Sequence, residues 1–193
     1  MHMTSRFILA LLGASLAGIG VAAAQTEIKV GVISTMSGPD AQPGDEMNKG
    51  IDLYVKTHEK DLPPGVKVTL IYRDDTGANP DIAKRLATEL VTRDHVNILA
   101  GAVWSPNASA IAAVATEAKT PFVDMNAASA PLTRLSPYIV RDSFTLWQVA
   151  GPIGEWAAKQ GWKKGYTAVT DYPPGYDAEG GFTTSFEKGG GKV

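Results

Sequence analysis

The stretch VNILAGAVWSPNASAIAAVATEAKTPFVDM at residues 96–125 decides the fold. Its two ends, residues 96–100 and 121–125, are short apolar runs that predict buried strands. Between them the pattern predicts a helix over residues 106–119, with proline at the first helical position, which proline favours. A strand, a helix and a second strand in this order form a crossover unit, so the two strands are expected to lie parallel in one sheet.

The same alternation extends in both directions from this unit. Strands are predicted at residues 28–35, 66–72 and 166–170, an extended segment at 138–141 and the start of a strand at 192–193, and helices at 44–60, 80–94, 146–160 and 177–188. The fold class is therefore α/β, a Rossmann-like, doubly wound parallel sheet with helices on both faces. Such sheets bind ligands at the carboxyl ends of their strands, so function is expected in the loops after Thr35, Ala100 and Met125.

Composition removes several classes of function. The chain has 193 residues and no cysteine, which excludes disulfides, thiolate metal sites and cysteine nucleophiles. Its 18 Lys and Arg against 20 Asp and Glu lack the basic excess of a nucleic-acid-binding protein, so no nucleic acid partner is expected. Dinucleotide-loop, Walker and Gly-x-Ser-x-Gly patterns are missing, and His58 and His95 have no ligand-spaced partner. We therefore expect no cofactor, no metal ion and no enzymatic activity.

The first segment has the pattern of an export signal. Arg6 precedes the apolar run FILALLGASLAGIGV at residues 7–21, and small residues at 22–24 come before the polar Gln25. This pattern predicts a signal peptide at residues 1–24, cleaved after Ala24. The alternative, a membrane anchor, needs a run of about 20 apolar residues. Without a cysteine for lipid attachment, the mature protein is expected in the periplasm, exported and not lipid-anchored.

Two loops at the predicted carboxyl edge carry candidate ligand-binding residues. Ser105 lies at the expected N-cap of the helix that begins at Pro106, where free backbone N–H groups and the hydroxyl could hold a carboxylate. Trp104 beside it could form an aromatic wall. Plain capping is the alternative for Ser105, and packing is the alternative for Trp104. After the next strand, Ser129 and nearby backbone carbonyls could meet a polar group, although Ser-x-Pro also simply starts a helix.

Six motifs in series carry a family resemblance: VGVISTMSGPDAQPGDEMNKGIDL, YRDDTGANP, GAVWSPNASA, NAASAPLT, SPYIVRDSF and TDYPPGYDAEG. They cover residues 28–193 in order, and the chain resembles the periplasmic solute-binding proteins of the branched-chain amino acid ABC transporter family, the leucine/isoleucine/valine-binding type. The resemblance implies type I periplasmic-binding-protein topology. It also implies a non-catalytic protein that binds a small carboxylate, such as a branched-chain amino acid, and delivers it to a membrane permease.

The resemblance assigns roles to individual residues. In the family, a serine at the helix start after the third strand meets the ligand's carboxylate, which corresponds to Ser105. A backbone carbonyl and a hydroxyl after the fourth strand meet the amino group, matching Ala127 and Ser129. An aromatic residue from the second lobe closes over the ligand, and Tyr176 is the nearest match in the loop at residues 171–177.

Two departures from the leucine-binding members leave the ligand open. Those members place an aromatic residue where this chain has Pro43, and usually a small or thiol residue where it has Trp104. The segments SPYIVRDSFTL and TDYPPGYDAEG resemble a branch whose ligands include aromatic carboxylates. An aromatic carboxylate is thus the alternative ligand. Alternatives of a different class are a secreted α/β enzyme and a ligand-sensing receptor domain, since one fold serves many functions.

The resemblance also implies a domain organisation. After the signal peptide at 1–24, lobe 1 spans residues 25–144, and residues 145–193 start lobe 2. Family members are longer, and their chain returns to complete lobe 1. The sequence is therefore expected to be the N-terminal part of a binding protein with a truncated fold, its first lobe incomplete and its second only begun. A monomer is expected.

Overall fold

Five parallel strands form the sheet, in the order β2-β1-β3-β4-β5. The computed structural model describes residues 25–193, so the predicted signal peptide lies outside the described residues. The strands are β1 Thr26–Ser34, β2 Val66–Asp74, β3 Ile98–Gly101, β4 Phe122–Asp124 and β5 Ile139–Arg141. The helices are α1 Ala41–Thr57, α2 Pro80–Thr92, α3 Ser105–Ala118, α4 Leu146–Lys159 and α5 Pro173–Lys188, with short 3₁₀ turns at Glu59–Asp61 and Ala130–Arg134. The predicted α/β fold class is confirmed.

Strand β1 lies inside the sheet, and the direction of winding changes beside it. The chain moves from β1 to β2 on one side and then to β3, β4 and β5 on the other. Val32 and Ile33, near the end of β1, are fully buried, as expected of a parallel strand covered on both faces. The loops that follow β1 and β3 lead away on opposite sides, which opens a crevice at the carboxyl edge of the sheet.

The hydrophobic core lies between the sheet and helices α2 and α3. Leu90 of α2 and Ile111 of α3 pack there with Leu99 and Phe122 from the strands, and all four side chains are fully buried. Helix α2 begins as predicted, because the side-chain oxygen of Asn79 accepts the backbone N–H of the third helical residue at 3.2 Å. The packing fixes both helices on the sheet and thereby the loops that precede them.

Two helices, α1 and α5, begin at least three residues earlier than predicted, and proline explains both differences. Helix α1 begins at Ala41 instead of residue 44 and includes Pro43 in its first turn. Helix α5 begins at Pro173 instead of residue 177, with Pro174 next. The first N–H groups of a helix have no acceptor inside it, so proline loses no hydrogen bond at these positions. The prolines belong to helix starts, and not to the preceding loops.

The strand predicted at residues 166–170 is wrong. This segment has no regular strand structure, and the pairing nearby is a single parallel bridge between Lys164 and Lys192. Gly165 donates its backbone N–H to Lys192 at 2.8 Å, and Lys192 donates to Lys163 at 3.0 Å. A strand requires a neighbour that takes its N–H and C=O groups, and residues 25–193 place none beside 166–170. The predicted strand start at 192–193 is confined to this bridge.

Helices α4 and α5 pack directly on each other, and we call them the helix pair. A Cβ at Gly154 of α4 would lie 2.4 Å from the carbonyl oxygen of Phe182 in α5, and a Cβ at Gly181 would lie 2.9 Å from that of Trp147. Glycine is needed at these contacts because the two backbones approach more closely than a side chain allows. Helix α4 starts with a capping box, in which Thr145 and Gln148 each accept the other's backbone N–H.

Candidate functional site

A cavity of about 430 Å³ lies at the carboxyl edge of the sheet. Its walls come from the loops after β1, β3 and β4, which are the three loops expected to carry function. The remaining walls come from the connection into α4 and from the start of α5. The cavity therefore lies between the sheet and the helix pair.

Ser105 lines this cavity and is almost fully buried. It is the first residue of α3 and not its N-cap, so the predicted capping role of Ser105 is wrong. The N-cap is Trp104, whose backbone is extended (φ −102°, ψ 136°) and whose carbonyl accepts the Ala108 N–H at 2.9 Å. The hydroxyl oxygen of Ser105 instead accepts the backbone N–H of Ser129 at 3.1 Å. No acceptor among residues 25–193 takes the hydroxyl's own hydrogen, which leaves the hydroxyl able to donate at the cavity wall.

The N-terminus of α3 adds backbone donors beside this hydroxyl. Four N–H groups at a helix start have no acceptor inside the helix, and Pro106 has no N–H, so Ser105 and Asn107 supply the first ones. The helix dipole adds partial positive charge at the same place. A carboxylate is the ligand group that this terminus favours. None of the described residues that line the cavity is cationic.

A buried polar cluster holds the first turn of α3 in place. The Asn107 amide donates to the Asp75 carboxylate at 2.7 Å and to the Gly77 carbonyl at 2.9 Å. The Thr35 hydroxyl donates to the other Asp75 oxygen at 2.7 Å. Thr35, Asp75 and Asn107 are fully buried, so these bonds tie the loops after β1 and β2 to α3. No local sequence pattern indicates this cluster, because Asp75 lies 32 residues from Asn107 and 40 from Thr35.

Aromatic and proline side chains make up much of the rest of the cavity wall. Trp104 lies on the sheet side, Phe144 in the connection and Tyr172 at the start of α5, with Pro39 and Pro43 after β1. The buried indole N–H of Trp104 has no hydrogen-bond partner in the part of the chain that the structure describes. The charged side chain on the wall is Asp40. Phe144 carried no sequence signal that would have identified it.

Ser129 lies next to Ser105, but its polar groups are already engaged within the protein. Its N–H donates to Ser105, its carbonyl accepts a bond from Arg141 at 2.5 Å, and its hydroxyl donates to Asp177 at 3.0 Å. Ala127 is fully buried, and its N–H donates to Asp124 and to the Ala102 carbonyl. Neither Ser129 nor Ala127 lines the cavity, whereas Asn126 and Ala128 of the same loop do.

The aromatic residue that reaches the cavity from the helix pair is Tyr172. Tyr176, the residue chosen from the sequence, is half exposed and directs its hydroxyl at Asp171, away from the cavity lining. Tyr172 is the N-cap of α5, so it lies at the edge of the cavity together with Pro174. The signal that could have found it is the proline pair at 173–174, which marks the helix start.

A buried ion pair lies behind the cavity wall. Arg141 donates through Nε to the Asp124 carboxylate at 3.1 Å, and both side chains are almost fully buried. Burial raises the pKa of the Asp124 carboxyl to about 6, while Arg141 and the N–H groups of the following loop act in the opposite direction. The pair connects the ends of β4 and β5 and supports the loop that carries Ser129.

Within residues 25–193, the His, Asp and Glu side chains form no group of three that could hold a metal ion. No helix in the same range has the length and apolar character needed to cross a membrane. The residues that line the cavity offer hydrogen-bond donors, a helix terminus, the Asp40 carboxylate and aromatic surface.

Residues 27–193 match a protein-family model described as "Periplasmic binding protein". The chain belongs to the periplasmic binding protein family. The resemblance inferred from the six sequence motifs is confirmed by this match. A leucine/isoleucine/valine-binding protein homolog 6 from Brucella abortus (strain 2308) is 39% identical over 186 residues, which are 96% of this chain and 47% of that protein.

Two solved solute-binding proteins of ABC transporters share this fold with the chain. One, from R. palustris, was determined in complex with 4-hydroxybenzoate; it is 46% identical with a TM-score of 0.82, over 86% of this chain and 45% of that chain. The other, from Rhodopseudomonas palustris BisB5, was determined with 3,4-dihydroxybenzoic acid. It is also 46% identical with a TM-score of 0.82, and the match covers 86% of this chain and 46% of that chain. The chain thus spans about half the length of the relatives it matches.

Proposed function

We propose that this chain carries the carboxylate-binding part of an ABC-transporter solute-binding protein for a small aromatic carboxylate. The observation that carries the proposal is the cavity in which the Ser105 hydroxyl and the N-terminus of α3 lie among aromatic and proline side chains. Two relatives at 46% identity were determined with hydroxylated benzoates, which supports this class of ligand.

In the proposed complex, the carboxylate lies at the start of α3. The Ser105 hydroxyl donates to one oxygen, and its orientation is already set by the bond from the Ser129 N–H. The backbone N–H groups of Ser105 and Asn107 and the helix dipole compensate the negative charge. Because Asn107 is held by Asp75, these donors are positioned before the ligand arrives.

The ring of the ligand lies against the aromatic wall. Trp104 and Tyr172 approach from opposite sides of the cavity, one from the sheet and one from the helix pair. Stacked or edge-on aromatic contacts add about 0.5–1.5 kcal/mol beyond the burial of apolar area. A cavity of about 430 Å³ is within the usual range for small-molecule sites.

A branched-chain amino acid is the second candidate ligand, favoured by the name of the Brucella relative. Its ammonium group would need acceptors, and the resemblance assigns that role to Ala127 and Ser129. Neither residue lines the cavity, and the Ser129 hydroxyl donates to Asp177. Asp40, which lines the cavity in the loop after β1, is a candidate to receive an ammonium group. The benzoate class needs no such acceptor, which is why we prefer it.

The proposed role in the cell follows that of solute-binding proteins. Residues 25–144 and 145–193 belong to two lobes that close around the ligand, and the protein carries it unchanged through the periplasm to a membrane permease. The protein acts as a monomer and without a cofactor. Recovery of the ligand unchanged after prolonged incubation tests the absence of turnover.

Calorimetric titration with 4-hydroxybenzoate, 4-hydroxybenzamide and leucine tests the ligand class. We expect 4-hydroxybenzoate to bind most tightly and the uncharged amide to bind poorly, because the amide lacks the carboxylate charge. Ser105→Ala is expected to weaken 4-hydroxybenzoate binding by about 1–3 kcal/mol, the range for a hydrogen bond to a charged group.

Ser109→Ala is the matched control for this titration. Ser109 lies one turn further along α3, and its hydroxyl donates to the Ser105 carbonyl, away from the cavity lining. We expect Ser109→Ala to bind like the wild type. Equal affinities of the wild type and Ser105→Ala would contradict the role of Ser105, and tighter binding of leucine would favour the amino acid instead.

A further inference from the structure

Asp177 joins the helix pair to the sheet beside the cavity. Its oxygen Oδ2 accepts the Ser129 hydroxyl at 3.0 Å and the backbone N–H of Ala130 at 2.7 Å. One further hydrogen bond in the described structure connects residues 25–144 with 145–193, from the Leu146 N–H to the Ala128 carbonyl at 3.0 Å. Asp177 therefore supplies two of the three hydrogen bonds between these parts of the chain.

The carboxylate of Asp177 is not used by its own helix. The N-cap of α5 is Tyr172, and the first turn of α5 has no acidic residue and no side-chain cap. The two partners of Asp177 lie 47 and 48 residues earlier in the sequence, in the loop after β4. Hydrogen bonds to an ionised carboxylate are stronger than neutral ones, so this contact favours one position of the helix pair.

The same contact reaches the place where the ligand's carboxylate is proposed to bind. Ser129, which donates to Asp177 through its hydroxyl, donates to the Ser105 oxygen through its N–H. Its carbonyl is held by Arg141, which is in turn paired with the buried Asp124. Movement of the helix pair away from the sheet would therefore remove one of the contacts that position Ser129 beside Ser105.

We infer that Asp177 is a latch that holds the helix pair against the sheet and couples closure of the cavity to the position of Ser105. With the latch formed, Tyr172 from α5 and Trp104 from the sheet both line the cavity. A ligand that contacts both walls binds the latched state best, so losing the latch weakens binding although Asp177 does not line the cavity. Asp177 is a positioning residue. The ligand part of this inference rests on the proposed function, whereas closure in the ligand-free protein does not.

The first experiment measures closure without any ligand. Because the chain has no cysteine, Lys84→Cys on α2 and Lys159→Cys on α4 introduce a single pair of sites for spin labels on exposed side chains. We expect Asp177→Ala to shift the distance between the labels to longer values and to broaden its distribution. Glu179→Ala is the matched control. Glu179 lies on the same helix, but it accepts a hydrogen bond from Thr167, which is not part of the sheet, so its loss breaks no contact between the helix pair and the sheet.

The second experiment measures affinity for 4-hydroxybenzoate by calorimetry. Asp177→Ala is expected to bind about tenfold more weakly than the wild type, which corresponds to the loss of a charge-assisted hydrogen bond. Asp177→Asn is expected to fall between the two, because its amide oxygen still accepts from both donors. Glu179→Ala is expected to bind like the wild type.

The two readouts separate failure of the latch from failure of the proposed function. Unchanged label distances in Asp177→Ala overturn the latch, whatever ligand binds. A shift in distance in a protein whose wild type binds no carboxylate leaves the latch standing and overturns the proposed function. If Asp177→Ala does not fold, the distance test is made on Asp177→Leu, whose side chain is similar in shape but accepts no hydrogen bond, and distances identical to those of the wild type then overturn the latch.

Discussion

At the scale of single residues, Ser105 and Ser129 show that two serines in adjacent loops can have different roles. Both are almost fully buried, and they are joined by a hydrogen bond of 3.1 Å. The Ser105 hydroxyl donates to no acceptor among residues 25–193, whereas the N–H, carbonyl and hydroxyl of Ser129 are all bonded within the protein. The difference follows from their neighbours, since Arg141 and Asp177 contact Ser129 and not Ser105.

The buried Asp124 carboxyl predicts a dependence of stability on pH. Its pKa is raised from 3.8 to about 6 by burial, so between these pH values the native carboxyl binds a proton that the unfolded chain has released. The contribution of Asp124 to the free energy of unfolding therefore falls as pH rises through this range, by about 3 kcal/mol at 1.36 kcal/mol per pKa unit. Urea denaturation at pH 4, 5, 6 and 7 measures it.

Asp124→Asn is the reference for this measurement. Burial opposes ionisation of Asp74, but hydrogen bonds from Ser37, Met36 and Thr76 outweigh it and lower the pKa of this carboxyl, which gives a pH dependence of opposite sign. The difference between wild type and Asp124→Asn cancels these contributions. We expect this difference to shift in favour of the variant as pH rises, and a difference independent of pH would contradict the raised pKa.

At the scale of elements, the helix pair depends on glycine. Gly154→Ala would place a methyl group 2.4 Å from the Phe182 carbonyl, which forces α4 and α5 apart. Overpacking of this kind costs about 1–3 kcal/mol, and we expect the free energy of unfolding to fall by that amount. Chemical denaturation of the variant measures the change.

Gly50→Ala provides the matched comparison, because Gly50 also lies within a helix. A Cβ at this exposed position of α1 meets nothing within 4 Å. Alanine there is expected to stabilise the protein by about 0.5–1 kcal/mol through its better helix propensity. Similar changes in the free energy of unfolding for both variants would contradict the need for glycine at position 154.

At the scale of the whole molecule, the cavity needs both parts of the chain. Ser105 and Trp104 come from the sheet, and Tyr172 comes from the start of α5. Tyr172→Ala is therefore expected to weaken 4-hydroxybenzoate binding by about 1 kcal/mol or more, through loss of an aromatic contact. Calorimetry gives the affinity, and thermal unfolding checks that the fold is intact.

Tyr176→Ala tests whether Tyr172, which lines the cavity, or Tyr176, which the family resemblance indicates, contacts the ligand. Tyr176 is half exposed and does not line the cavity, so its loss is expected to leave the affinity unchanged. A larger effect of Tyr176→Ala than of Tyr172→Ala would mean that the ligand-bound state places the other tyrosine over the ring.

Short-range patterns in the sequence were enough to predict the parallel sheet and its functional edge. The apolar runs, Asn79 before Pro80 and the strand–helix–strand unit at 96–125 all act within a few residues or one crossover, so they can be interpreted locally. Ser105 could be placed at the cavity for the same reason, because it starts the helix after a buried strand. Whether residues 166–170 form a strand could not be predicted locally, since a strand depends on a hydrogen-bonded neighbour.

The use of each polar group was decided only by the tertiary structure. Ser129 meets Ser105, Arg141 and Asp177 across separations of 24, 12 and 48 residues, and no local pattern encodes these contacts. The choice of Tyr172 over Tyr176 depends on where α5 begins and on how the helix pair lies against the sheet. The sequence by itself determined the parallel fold and the helix terminus at its edge, because periodicity and turn chemistry are local. Which side chains remain free for a ligand is fixed by hydrogen bonds between distant loops, which exist only once the chain has folded.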